Sequence, residues 1–64
     1  MNFNEYDTVR VLINTEVDIK KGDIGVVIMV YEDPIEGYEV EFINEDGTQK
    51  AQIVFKADEI EKVE

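Results

Sequence analysis

The sequence predicts an all-β fold: a small barrel of five strands, with one short helical turn before the last strand. Three observations carry that expectation. Valine and isoleucine dominate the apolar set, with Leu12 the single leucine, and β-branched side chains suit a pleated surface better than a helix. Apolar and polar residues alternate at period two along much of the chain. Turn chemistry recurs at Gly22-Asp23, at Asp33-Pro34-Ile35-Glu36-Gly37 and at Asp46-Gly47, at spacings that suit short strands.

The first strand is expected over Tyr6–Asn14, with Val9, Val11 and Ile13 on one face and Thr8, Arg10 and Leu12 on the other. Thr15 to Gly22 follows as a loop whose Val17 and Ile19 tuck back over the barrel mouth. Gly22 is the candidate for a positive φ in the turn, since glycine has no Cβ to clash there. Gly25, just inside the next strand, marks a bulge, a sharp bend or the close approach of another backbone.

The second strand, Ile24–Glu32, is apolar on both faces. No helical layer is available in so short a chain to cover a second face, so a strongly bent strand is expected. Gly37 permits the reversal after Pro34. The third strand, Tyr38–Ile43, sets Tyr38, Val40 and Phe42 against Glu39, Glu41 and Ile43. Asn44-Glu45-Asp46-Gly47 reads as a hairpin loop, its Asp-Gly pair the strongest short-range hairpin signal in the chain. The fourth strand, Thr48–Lys56, opposes Ala51, Ile53 and Phe55 to Gln52 and Val54. Ala57-Asp58-Glu59-Ile60 makes one helical turn, and Glu61-Lys62-Val63 closes as a short final strand. This order is that of an SH3-like barrel, a single domain over residues 1–64, which avoids exposed sheet edges by near closure.

Composition bounds the function. A chain of 64 residues buries only about 60% of the surface that it exposes unfolded. With no cysteine or histidine, its core must be apolar packing alone, unaided by a disulfide or a structural zinc, or helped by self-association. The formal net charge is −10, from 16 acidic and 6 basic residues. That balance disfavours nucleic acid, whose binding rests on phosphate neutralisation, and anionic membrane surfaces alike. The opening Met1-Asn2-Phe3-Asn4-Glu5 has neither the basic nor the apolar region of a secretory leader, and no apolar run approaches the ~20 residues that span a bilayer. The expectation is a cytoplasmic protein.

The stretch Lys20-Lys21-Gly22-Asp23-Ile24-Gly25-Val26-Val27 resembles the turn and strand of KOW-type and related SH3-like barrels. Lys21, Gly22, Gly25 and Val27 occupy their Lys-Gly-x-x-Gly-x-Val pattern. That resemblance implies RNA or ribosomal binding through Arg10, Lys20, Lys21 and Lys50, although such domains offer a basic face and this chain offers mostly carboxylates. A closer resemblance covers almost the whole chain. Tyr6 to Leu12, Lys21 to Gly25, Tyr38 to Phe42 and Ala57 to Glu61 are similar, in order and spacing, to a bacterial family of short proteins of unknown function. Its members resemble stand-alone SH3-like barrels, some encoded beside genes that resemble toxin genes. The resemblance implies a non-enzymatic module of immunity or antitoxin type.

Catalytic chemistry finds few residue types here. His, Cys, Ser and Trp are absent, which removes nucleophilic triads and histidine acid–base work. Carboxylate pairs remain, but a barrel this small is filled by its own side chains and leaves little pocket. Asn44 to Gly47 carries a fragment of a calcium-loop pattern without its twelve-residue frame, so a hairpin turn is the stronger reading. Gly22-x-x-Gly25 lacks the following helix that a phosphate loop needs. We expect no enzyme, cofactor or metal. What remains is the acidic surface of Glu32, Asp33, Glu36, Glu39 and Glu41, with Tyr6, Tyr31 and Tyr38 as aromatic anchors. As a solvated face it would oppose edge aggregation. As a docking face it would take a basic partner protein, encoded nearby. The rival class is the KOW-like RNA-associated module; a third is an accessory subunit or homo-oligomer.

Overall fold

The computed structural model describes residues 3–63. The chain is all-β, with almost no helix. Its strands are β1 (Thr8–Val11), β2 (Ile24–Tyr31), β3 (Gly37–Ile43), β4 (Gln49–Phe55) and β5 (Ile60–Lys62), with a 3₁₀ turn over Ala57–Glu59 before β5. They form one antiparallel sheet in the order β4-β3-β2-β1-β5.

The inward residues make a continuous core: Phe3, Val9, Val11, Ile19, Val27, Tyr38, Val40, Phe42, Phe55 and Ile60. Two edge-to-face ring pairs lock it, Phe3 on Tyr38 at 5.1 Å and Phe42 on Phe55 at 6.1 Å between centroids, a geometry that aromatic quadrupoles favour. Ile19 is buried as expected, but Val17, on the same loop, is exposed. The loop holds Ile19 in place through Thr15, whose N–H and Oγ1–H both donate to the Ile19 carbonyl, at 3.1 and 2.8 Å.

β1 is shorter than the Tyr6–Asn14 expected for it. At its start, Tyr6 takes φ +74°, while Asp7 closes a turn with Asn4 through N–H bonds in both directions. That turn brings Phe3 into the core. Beyond Val11 the chain leaves the β1–β2 ladder, and the Leu12 N–H bonds to the Glu59 carbonyl instead, at 2.9 Å.

β2 explains its own apolar run. Val26 and Val27 pair with Glu41 and Val40, whereas Met29, Val30 and Tyr31 pair with Glu39, Tyr38 and Gly37. The register therefore shifts by one at Ile28. Because side chains alternate across a strand, one inserted residue swaps the faces: Gly25 and Val27 point inward before the bulge, and Val30 faces the inward Tyr38 after it. The strand is apolar at both parities because each parity faces inward for half its length. The bulge sits at Ile28, and Gly25 answers to a different demand. A Cβ at Gly25 would lie 2.5 Å from Val40 Cγ1 and 2.9 Å from the Glu41 carbonyl oxygen, so of the three roles open to it, close approach is the one observed.

A second bulge, at Lys50, resolves a conflict in the β3–β4 hairpin. Ile43 pairs with Gln49 next to the loop, but Phe42 pairs with Ala51 and Val40 with Ile53. Without the extra residue, inward Phe42 would face Lys50 and inward Val40 would face Gln52. The loop itself is the predicted hairpin, with Gly47 at φ +90°. Gly22, at φ +98°, fills its predicted role in the turn before β2.

Candidate functional site

The outward face of β2, β3 and β4 is where the sequence places its candidate surface. Glu39 lies between Met29 on β2 and Val54 on β4; Glu41 lies between Val26 and Gln52. Both glutamates point away from the core, as their spacing requires. Met29, Tyr31, Ile43 and Val54 are exposed on this side, so the face is carboxylate set in apolar surface.

The two glutamates differ in what they can offer. Tyr31 Oη donates to Glu39 Oε1 at 2.6 Å, and Gln52 Nε2 donates to Glu39 Oε2 at 2.9 Å. Both oxygens of Glu39 are thus engaged across three strands. The carboxylate raises the Tyr31 phenol above its ordinary pKa, chiefly because that hydrogen bond stabilises the protonated hydroxyl. Glu41 has no such partner among the described residues and remains open to a cation.

The other candidates divide. Glu32, Asp33 and Glu36 are exposed in the turn between β2 and β3, which contains a cis Asp33–Pro34 bond. Glu36 accepts the Tyr38 hydroxyl at 2.5 Å, so it is tied to the fold. Tyr38 does not join the surface: its ring is fully buried, and only its hydroxyl reaches the turn. Gly37 packs tightly, with a Cβ there placed 3.0 Å from Val54 Cγ1. The structure brings Tyr31, Glu39 and Glu41 together and adds Met29, Gln52 and Val54, which the sequence reading did not single out. Their alternation was visible, but their neighbours depend on the two bulges.

Elsewhere the carboxylates have structural uses. Asp46 accepts the N–H and hydroxyl of Thr48 at 3.0 and 2.7 Å, which holds its carboxyl below the usual value and makes this loop a self-capped hairpin. Asp23 Oδ2 accepts the Lys20 N–H at 2.9 Å and closes the turn. Arg10 pairs with Glu61 at 2.7 Å, while Lys20 and Lys50 share Asp18 at 4.0 and 3.9 Å. A shallow depression of about 140 Å³ lies at the rim, lined by Ile19, Asp23, Ile24, Phe42, Ile43 and Lys50. No group of three or more potential metal-ligating side chains converges among the described residues. None of their helices is long and apolar enough to cross a membrane.

The fold and this surface define a class: a small all-β protein with one antiparallel sheet and an acidic, partly apolar outward face. The chain belongs to the family described as Domain of unknown function (DUF4926), which it matches over residues 5–62. No curated protein and no solved structure matches it.

Proposed function

We propose that the chain is a non-enzymatic protein-interaction module of SH3-like barrel type, acting as an acidic immunity or antitoxin-type protein that occludes a basic partner in the cytoplasm. The barrel reading is supported by the strand order β4-β3-β2-β1-β5, by the single 3₁₀ turn before β5 and by a bulged, two-partner β2. The observation that carries the function is the outward face: Glu41, between Val26 and Gln52, is open to a cation, and further along the same face Met29 and Tyr31 stand exposed around Glu39, with Glu32 and Asp33 in the turn beyond. Apolar anchors ringed by charge are what a docking surface needs for affinity and for steering. The rival RNA reading loses support because three of its four cations, Arg10, Lys20 and Lys50, lie beside carboxylates, which leaves Lys21.

The test is co-purification of the tagged chain with basic proteins encoded beside it. Binding should weaken as salt is raised and should fall at least tenfold with Glu41→Arg or Met29→Ala. If no neighbouring product binds at about 50 mM salt, where attraction is strongest, the immunity-type reading is wrong. Salt-sensitive RNA binding under the same conditions would favour the rival.

A further inference from the structure

We infer that Tyr6 is an aromatic anchor for an arginine side chain of the basic partner, with Glu5 supplying the opposing charge. Tyr6 takes φ +74°, a region that glycine or asparagine enters readily and a bulky side chain does not. The turn needs that backbone conformation, which accompanies the Asn4–Asp7 bonds and brings Phe3 onto Tyr38. It does not need the ring. Tyr6 is 74% exposed, and among the described residues its side chain joins no hydrogen bond and no aromatic pair. A tyrosine here thus strains the backbone, and its exposed ring does little inside the fold to offset that strain. Backbone strain at an exposed aromatic side chain points to a role outside the fold.

The position suits that role. The Tyr6 N–H donates to the Val27 carbonyl at 2.6 Å, which fixes residue 6 against β2 at its bulge. Exposed Met29 follows two residues further along that strand, and exposed Tyr31 two beyond it. The inference therefore rests on the docking reading above, adding an anchor beside the strand that carries Met29 and Tyr31.

The charges of the turn select the occupant. Asp7 is already engaged: its Oδ2 accepts the Asn4 N–H at 2.9 Å, and its Oδ1 lies 3.9 Å from Lys62 Nζ. Exposed Glu5 has no ion pair and no side-chain hydrogen bond among the described residues. One open carboxylate thus adjoins one open ring. Both favour a cation, because the face of an aromatic ring carries negative potential. Of the two cationic side chains, guanidinium is planar and weakly hydrated, so it stacks on an exposed ring better than an ammonium does.

Two measurements on the full chain test this. In urea, Tyr6→Asn should unfold at a midpoint equal to or above that of the wild type, because asparagine tolerates the positive φ. A lower midpoint would show that the ring belongs to the fold and would overturn the inference. Binding is read with a tetra-arginine amide at about 20 mM salt, with tetra-lysine amide for comparison. NMR should show the Tyr6 ring resonances shifting with tetra-arginine, and more than with tetra-lysine. Tyr6→Asn should weaken tetra-arginine about two- to fivefold, the worth of an exposed cation–π contact, and Glu5→Gln should weaken it too. Ile35→Asn, at an equally exposed site, should leave it unchanged. Equal response to both peptides, or undiminished tetra-arginine binding by Tyr6→Asn or Glu5→Gln, would reduce the contact to diffuse charge attraction and overturn the inference. So would an equal loss with Ile35→Asn. The docking reading is judged separately, by the co-purification. A neighbouring product held as tightly by Tyr6→Asn would sink the anchor and leave docking standing. Tetra-arginine on Tyr6 with no neighbour bound would do the reverse.

Discussion

Glu39 shows how a residue that reads as free surface charge becomes a structural one. Its oxygens are held by Tyr31 and Gln52, and the pairing works in both directions. Because the folded-state pKa of Tyr31 lies above its ordinary value of 10.0, the hydrogen-bonded phenol contributes stability that is complete below that value. That contribution is lost as pH rises through the higher folded value. Glu39→Gln removes the carboxylate, so an absorbance titration should show one tyrosine returning toward its ordinary pKa; no change would mean that the bond is absent in solution. Asp46 has the opposite sign. Its folded pKa is depressed, so its contribution is present above the usual aspartate value and lost as pH falls through the folded one. An NMR titration should show the Thr48 amide moving with the Asp46 carboxyl at a pH below that of an ordinary aspartate, and Asp46→Asn should abolish that step. At Gly25 the constraint is steric. Gly25→Ala should cost about 1–3 kcal/mol in urea denaturation, because a Cβ meets both the Val40 side chain and the Glu41 backbone. Gly22→Ala meets no neighbouring atom and should cost only the strain of a positive φ, about 1–2 kcal/mol.

At the scale of elements, the strands were legible and their pairing was not. Alternation placed Tyr38, Val40 and Phe42 inside and Glu39 and Glu41 outside, and Asp46-Gly47 located the hairpin. The bulges at Ile28 and Lys50 left no residue-type signal, since neither position is glycine; only the mismatch between loop register and inward pattern betrays them. The same blindness hid Gln52 as the partner of Glu39, and Met29 as its neighbour. The segment before β1 was hidden for another reason. Phe3 reaches the core only because Tyr6 adopts a positive φ, a conformation uncommon for a side chain of that bulk. Sequence patterning would not assign it. Its burial predicts a large effect: Phe3→Ala should cost about 3–5 kcal/mol. A domain of this size has roughly 3–10 kcal/mol in total at typical stability per residue. The urea midpoint should therefore fall steeply, and a change under about 1 kcal/mol would mean that the Asn4–Asp7 turn does not hold Phe3 on Tyr38.

For the whole molecule, charge is the term that conditions decide. The described ion pairs are few and partly exposed, and such pairs are worth little each. Against them stands the mutual repulsion of a −10 chain, compressed on folding to a radius of gyration of 11.0 Å. That radius is close to the Debye length of about 10 Å at 0.1 M salt, so added salt screens repulsion across the whole fold while weakening only those few pairs. Thermal melts should therefore move upward as sodium chloride rises from about 20 mM to about 300 mM, most steeply below the concentration at which the Debye length matches the protein. The measurement belongs on dilute protein, so that any self-association contributes little to the shift. A melting temperature that falls with salt would show instead that the ion pairs, with Arg10–Glu61 foremost, outweigh the repulsion.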